Sequence, residues 1–173
     1  DGRLALVILG IDPGYAITGY GVLRYKNNRF KVLDYGVVRT SAETPFPERL
    51  LAIQQALSEL VDIYKPNCVA IEELFFSRNT TTALGTAQAR GVAVVTAASA
   101  NLPVYEYTPM QVKVAVTGYG RAEKQQVQEM VRILLNLEEK PNPDDVADAL
   151  AVAICHAHSG NRDSALAVGG YQK

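Results

Sequence analysis

Four carboxylates stand where two strand ends and one helix start could bring them together. Asp12 ends one apolar run and Glu72 ends another, while Asp145 and Asp148 are three residues apart near the start of a predicted helix. Acids in apolar surroundings cost free energy unless something binds them. A divalent cation held by oxygen atoms alone is typical of magnesium and phosphate chemistry, so the four acids predict a metal-dependent phosphoryl site.

The spacing of the acids indicates how they could share their ligand. Helical residues three apart have Cβ atoms roughly 5 to 6 Å from each other on one face, so Asp145 and Asp148 can bind an ion cluster from one side. Asp12 and Glu72 can close that cluster from the other side. We expect two Mg²⁺ ions roughly 3.5 to 4 Å apart, replaceable by Mn²⁺, that activate a water and stabilise the leaving oxygen in hydrolysis of a phosphodiester.

Each acid also has a simpler interpretation. Asp12 precedes Pro-Gly and fits a turn, and Glu73 beside Glu72 could be the solvent-facing member of that pair. Asp144 and Asp145 fit the start of a helix, where negative charge is favoured. Asp148 lies among Val and Ala residues inside the helix, so the simpler interpretations do not explain it. The set of four is therefore the informative feature.

Apolar periodicity and turn residues predict the elements that must position these acids. Strands are predicted over residues 4–12, 18–26 and 30–39, around 69–71 and over 104–107, and helices over 47–64, 80–100, 109–117, 122–137 and from 142–144 to about 158. This order predicts an α/β fold in which helices flank a mixed five-stranded sheet, and functional groups of such sheets gather at strand ends. We expect one domain over residues 4–158 and a flexible tail over residues 159–173.

The predicted helix over residues 80–100 is apolar nearly all round, with Arg90 as its one charge. Such a helix must be covered on more than one side. One cover can be its own sheet, and the other can be a second subunit; the alternative is a fully buried central helix. If the helix forms a subunit interface, reversing the charge of Arg90 or placing Asp at Ala93 should split a dimer.

Composition limits the classes of protein that remain. The 173 residues are 48% hydrophobic and 20% charged, which predicts a folded globular chain. Its two cysteines lie far apart in apolar stretches without metal-ligand spacing. We find neither a leader pattern nor an uncharged stretch long enough to cross a membrane, so we expect a cytoplasmic protein without a membrane partner.

The charge distribution bears on nucleic-acid binding. A net charge of −1 argues against it, because nucleic-acid binders usually carry a basic surplus. Between Phe75 and Arg132, however, six basic residues stand against three acidic ones: Arg78, Arg90, Lys113, Arg121, Lys124 and Arg132 against Glu106, Glu123 and Glu129. An ordinary mixed surface remains an alternative explanation of this local surplus.

An ordered series of motifs resembles the RuvC family of Holliday junction resolvases. The series runs L-G-I-D-P-G, T-G-Y-G-V, A-I-E-E-L-F-F, Q-A-R-G-V-A, A-E-K-Q-Q-V and D-D-V-A-D-A-L-A-V-A-I, from about residue 7 to residue 158. The resemblance implies an RNase H-like fold and a homodimer that makes paired, symmetric, magnesium-dependent nicks in four-way DNA junctions during recombination and repair. It also implies the branch-migration proteins RuvA and RuvB as partners.

The same resemblance assigns residues. Asp12, Glu72, Asp145 and Asp148 match the catalytic and metal-binding acids, although some members have His at the position of Asp145. Lys113 and Lys124 match lysines that contact DNA near the scissile phosphate, and Phe75 matches an aromatic residue that stacks on bases at the junction centre. Arg78, close to Phe75 in the basic segment, is a further candidate DNA contact. Without the resemblance, the two lysines could be a solvated helix face and Phe75 a core residue.

Three other classes of function stay open. The start G-I-D-P-G with a following T-G resembles the first phosphate loop of actin-like kinases and ATPases, but those proteins need a second similar domain that 173 residues cannot hold. A related nuclease could act on RNA or on other branched DNA. A binding module without chemistry is disfavoured because all four acids are present.

Overall fold

The central feature of the fold is a mixed five-stranded sheet. A computed structural model describes residues 4–74 and 80–159. The sheet has the order β3-β2-β1-β4-β5, with β1 antiparallel to β2, β2 antiparallel to β3, and β4 parallel to both β1 and β5. Its strands are β1 (Leu6–Asp12), β2 (Ile17–Lys26), β3 (Arg29–Arg39), β4 (Cys68–Glu72) and β5 (Val104–Tyr107).

Helices cover both faces of this sheet. They are α1 (Phe46–Tyr64), α2 (Thr80–Ser99), α3 (Pro109–Thr117), α4 (Lys124–Leu134) and α5 (Asp144–Ser159). One core joins the sheet to α3, α4 and α5, and a second core joins its other face to α1 and α2. These bounds confirm the strands and helices predicted from the periodicity.

Local chemistry explains where several elements turn or end. Asn27 and Asn28 have φ values of 54° and 60°, the left-handed conformation that a two-residue hairpin loop requires. Lys65 ends α1 in the same conformation, with its N–H bonded to the Val61 carbonyl, just before Pro66. Thr108 and Gln111 form a capping box at the start of α3.

Helix α5 is the central helix of the fold. Between Val146 and Ala157 every residue is buried except Asp148. The sequence had indicated α2 as a helix needing cover on several sides, but α2 buries mainly its alanine-rich face against the sheet, while Leu84 and Val95 are exposed. Asp148, the one residue of this stretch that is not buried, is therefore the strongest indication of a functional site.

Two other expectations can be compared with the fold. Cys68 and Cys155 are free and buried, which agrees with their positions in apolar stretches of the sequence. Within residues 4–74 and 80–159, no helix combines the length and the apolar character needed to span a bilayer. Of the tail predicted over residues 159–173, Ser159 is the last residue of α5 and the rest lies outside the described residues.

Candidate active site

Two of the four predicted acids are the last residues of neighbouring parallel strands. Asp12 ends β1 and Glu72 ends β4, and the paired residues just before them are Ile11 and Ile71. Carboxyl ends of parallel strands meet at one edge of a sheet, where loops leave room for a ligand. Both acids lie on the sheet face that α5 covers, because the alternate residues Leu9, Ile11 and Val69 pack on the opposite core.

Glycines on the strands let α5 approach the sheet closely enough to bring the other two acids in. A Cβ at Gly10 would lie 2.1 Å from the Ala149 carbonyl oxygen, and one at Gly19 would lie 2.2 Å from the Asp145 carbonyl oxygen. Gly19 is also the cross-strand partner of Asp12. The start of α5, with Asp145 and Asp148, is thereby held against the end of β1.

The four acids interact electrostatically. The pKa of Asp12 is raised from 3.8 to about 8, first by burial and then by the negative charges of Asp148, Asp145 and Glu72. Lys124 opposes this rise. A carboxyl surrounded by three others is costly to ionise unless a cation compensates the charge. The structure thus brings together all four acids that the sequence singled out.

Glu72 and Asp148 show the same effect to different degrees. Burial and then Asp148 raise the pKa of Glu72 from 4.5 to about 6, while Lys113 and Lys124 oppose the rise. The pKa of Asp148 is raised by burial, and a hydrogen bond with Asp12 and the charge of Lys124 act in the opposite direction. The Asp148 side chain is 37% exposed, so water screens part of the repulsion it feels.

Both predicted lysines line a cleft together with two of the four acids, Glu72 and Asp148. The cleft has a volume of about 260 Å³, an apolar floor that includes Val112 and Ala151, and charged walls formed by Glu72, Asp148, Lys113 and Lys124. Lys124 Nζ lies 3.1 Å from Asp144 Oδ2 and 3.9 Å from Asp148 Oδ2. The ammonium groups of the two lysines therefore lie beside the acids, where they could bind a phosphate oxygen.

The donor set fits a hard divalent cation. In residues 4–74 and 80–159, no three acidic, His or Cys side chains converge tightly enough to be recognised as a metal cluster by position alone. These carboxyls are nevertheless close enough for their charges to raise the pKa values of Asp12 and Glu72. Carboxylate oxygens are the ligands that Mg²⁺, Mn²⁺ and Ca²⁺ prefer.

The remaining predicted residues fall in different places. Glu73 is exposed, as expected for the solvent-facing neighbour of Glu72. Helix α5 begins at Asp144, which bonds with Lys124 and accepts a hydrogen bond from Gln128 at 2.9 Å. Phe75 and Arg78 lie outside the described residues, so their predicted contacts with DNA stay predictions.

Sequence reasoning missed Thr18, which fixes the loop after Asp12. The Thr18 hydroxyl donates to the Gly14 carbonyl at 2.7 Å and accepts from the Gly14 N–H at 3.2 Å, and Thr18 is 1% exposed. A buried hydroxyl that makes both bonds closes this loop into one conformation. A threonine four residues after the glycine of D-P-G is the sequence signal that could have indicated this bond.

Arg90 and Ala93, the two positions expected to report on a subunit interface, pack within a single protomer. Arg90 forms an ion pair with Glu106 at 3.0 Å, and both side chains are largely buried. Ala93 is 1% exposed and packs in the core between α2 and the sheet. Either substitution would disrupt the protomer's own packing, so these positions are poor reporters of a subunit interface, and their predicted effect on a dimer stays a prediction.

Comparison with known proteins gives consistent matches. The family model described as "Crossover junction endodeoxyribonuclease RuvC" matches residues 8–156. A relative of that name from Alkaliphilus metalliredigens is 62% identical over 159 residues, which cover 92% of this chain and 97% of the relative. One from Alkaliphilus oremlandii is 60% identical over 90% of this chain and 95% of the relative.

Solved structures agree with this result. The structure named "T. thermophilus RuvC in complex with Holliday junction substrate" superposes with a TM-score of 0.85 at 42% identity, covering 88% of this chain and 93% of that one. The yeast mitochondrial Holliday junction resolvase Ydc2, at 13% identity and a TM-score of 0.62, covers 87% of this chain and 78% of that chain and shares the fold. The predicted RNase H-like α/β fold is confirmed. On the family match and these identities, the chain belongs to the RuvC family of crossover junction endodeoxyribonucleases.

Proposed function

We propose that this protein resolves four-way DNA junctions by paired, symmetric, metal-dependent nicks in recombination and repair. The observation that carries the proposal is the convergence of Asp12, Glu72, Asp145 and Asp148 beside a cleft that also holds two lysines. Phosphodiester hydrolysis by this arrangement needs no covalent enzyme intermediate. The family and the structural relative that was solved with a junction support the choice of substrate.

Family membership implies dependence on a divalent metal, and we infer that two Mg²⁺ ions bind the four acids, with Mn²⁺ able to replace them. When bound, such cations supply an activated water and stabilise the charge on the departing oxygen. The chain's own contribution is to hold four carboxylates on two strand ends and one helix. A bound cation would offset the repulsion among the four carboxylates, and this gain in free energy favours cation binding.

The two lysines extend the site toward the DNA strand. Lys113 and Lys124 enter the cleft from α3 and α4, each close enough to Glu72 to lower its pKa. An ammonium group at this position can bind a non-bridging phosphate oxygen and stabilise the negative charge that grows on phosphorus during hydrolysis. Phe75 and Arg78 complete the proposed DNA contacts on the basis of the resemblance alone.

We propose that the chain acts as a homodimer through the outer faces of α1 and α2. These two helices border a groove of about 570 Å³ lined by Leu50, Leu51, Gln54, Gln88, Gly91, Val92 and Val95. Its walls are nearly all apolar, and exposed apolar patches mark interaction sites. A two-fold dimer would present two identical sites to a substrate that is itself two-fold symmetric.

The decisive experiment is incubation with a synthetic immobile four-way junction, with and without Mg²⁺, followed by mapping of both product ends. We expect two nicks placed symmetrically on opposite strands, only when Mg²⁺ is present. Asp148→Asn should bind the junction and leave it uncut. Junction cleavage by Asp148→Asn at the normal rate would remove this residue from the site.

Parallel substrates separate the alternatives. Equal cleavage of three-way, linear and RNA-containing duplexes would favour a nuclease of broader or different substrate range over a junction resolvase. Two further parts of the proposal rest on the resemblance and the sequence: RuvA and RuvB as partners, and a cytoplasmic location. Purification of tagged protein from cell extract would test the partners.

A further inference from the structure

A buried tyrosine–histidine pair joins the last strand to the last helix and has no role in the function proposed above. The Tyr107 hydroxyl and His156 Nδ1 are 2.5 Å apart, and the two residues are 2% and 3% exposed. The ring of Tyr105 stacks on the same imidazole with a centroid distance of 4.5 Å and an interplanar angle of 26°. Strand β5 thus holds His156 with two aromatic residues.

The pair connects the edge of the sheet to the central helix. Strand β5 has four residues and pairs only with β4 in the described part of the chain. A short edge strand lacks hydrogen bonds on one side, so its end opens more readily than the interior of a sheet. His156 belongs to α5, a little more than two turns beyond Asp148.

Tyr107 also supports the end of β4, where Glu72 lies. Glu72 and Tyr107 are directly paired in the parallel ladder, and the Glu73 N–H donates to the Tyr107 carbonyl at 2.7 Å. Side chains of paired residues point to the same face of a sheet. A displacement of Tyr107 would therefore move Glu72 relative to the acids on α5.

We infer that the hydrogen bond between Tyr107 and His156 positions Glu72 against Asp148 by fixing the end of β5 to α5. Both are positioning residues, because neither lines the cleft that holds Glu72, Asp148 and the two lysines. The inference rests on the proposed function, since it assumes that Glu72 and Asp148 bind the same cations. Residues that orient metal ligands affect affinity although they never touch the metal.

The protonation states favour one form of this bond. Burial lowers the pKa of His156 to about 4, and burial together with neighbouring thiols raises the pKa of Tyr107. The imidazole is therefore neutral and the phenol protonated near neutral pH, so the Tyr107 O–H donates to Nδ1. The bond is thus one between two neutral groups.

The test measures Mn²⁺ binding to the full chain by titration calorimetry without DNA. Tyr107→Phe and His156→Phe each remove one partner and keep a ring. We expect each to weaken Mn²⁺ binding by about 10-fold, the low end of the effect of residues that orient metal ligands. The double variant should bind no more weakly than either single variant, because both remove the same bond. His156→Asn, whose Oδ1 can accept from the phenol, should recover part of the affinity.

Two controls distinguish positioning from a general loss of stability. Ile53→Val, in the core on the other face of the sheet, should lower the melting temperature and leave Mn²⁺ binding unchanged. By hydrogen exchange, the Glu73 amide should open faster in Tyr107→Phe than in the wild type, and in Ile53→Val it should not.

Unchanged Mn²⁺ affinity in Tyr107→Phe, or unchanged exchange at Glu73, would overturn the inference. Asp148→Asn separates this failure from a failure of the proposed function. If Asp148→Asn weakens Mn²⁺ binding and Tyr107→Phe does not, only the positioning role is wrong. If Asp148→Asn also binds normally, the proposed metal site is wrong.

Discussion

The carboxyls of Asp12 and Asp148 lie close enough to repel each other, although one ends β1 and the other lies in α5: after burial, the charge of Asp148 is the largest cause that raises the pKa of Asp12. With a pKa of about 8, the Asp12 carboxyl is largely protonated at neutral pH in the metal-free protein. Because a carboxyl must be ionised to bind a metal, cation binding should release this proton.

Metal-free stability should fall as pH rises. Asp12 ionises near its ordinary pKa of 3.8 in the unfolded chain and near 8 in the folded chain, so the folded state holds more protons between these values. Its contribution is present below the unfolded pKa and is lost as pH rises toward the folded pKa, by up to roughly 1.4 kcal/mol per pH unit. Urea unfolding in EDTA from about pH 5 to about pH 8 measures this slope.

Asp12→Asn is the matched variant for that slope. An amide of the same shape does not ionise, so we expect the variant to be more stable than the wild type at the upper end of the range and equally stable at the lower end. Added Mg²⁺ should stabilise the wild type more, because a ligand that binds only the folded state shifts the equilibrium. An unchanged slope in Asp12→Asn would mean that the proton resides elsewhere.

Lys124→Gln should slow nicking by roughly 10²-fold, the effect of removing one group that stabilises transition-state charge. Lys124 lies 3.9 Å from Asp148 and borders the cleft, so its loss also removes charge that offsets the acids. Single-turnover rates on a four-way junction measure the effect. Lys140→Gln is the control, since Lys140 is exposed and pairs with Glu129 at 3.9 Å; equal slowing in both variants would indicate a non-specific loss of charge.

Gly19→Ala should impair metal binding through the position of α5. The new methyl group would meet the Asp145 carbonyl oxygen at 2.2 Å. Relief of that clash must move the start of α5, and we expect this to lower the free energy of unfolding by roughly 1–3 kcal/mol. We expect loss of Mg²⁺-dependent stabilisation in thermal melts. Gly120→Ala is the stability control, because a Cβ there comes no closer than 3.4 Å to any neighbouring atom and Gly120 does not line the proposed dimer groove. If Gly19→Ala keeps normal stabilisation by Mg²⁺, the close packing at Gly19 is not what positions Asp145.

Local signals explain why most elements were predictable. The Asn27-Asn28 turn, the stop at Pro66, the apolar run of β1 and the alternation along β2 and β3 depend on neighbouring residues, and the structure has each element where the pattern predicts it. The acids were predictable for a related reason. Charge at the end of an apolar run is unusual wherever that run packs.

Tertiary packing was not predictable by the same means. A helix that is apolar all round does not reveal which face meets its own sheet, and for this reason Arg90 and Ala93 were assigned to an interface although they pack inside the protomer. The roles of Gly10 and Gly19 likewise depend on where α5 crosses the sheet. Asp144 fits a helix start in any fold, so its contact with Lys124 becomes visible only in the structure.

The proposed dimer should dissociate when a charge is placed on the free face of α2. Val95 is 62% exposed and borders the groove between α1 and α2, so Val95→Asp should leave the protomer folded while the cost of burying an unpaired carboxylate opposes association. Light scattering should report the mass of one chain, and junction nicks should become independent on the two strands. Ile63→Asp changes an exposed α1 residue that does not line the groove and should leave both properties unchanged; a Val95→Asp protein with the mass of two chains would place the interface elsewhere.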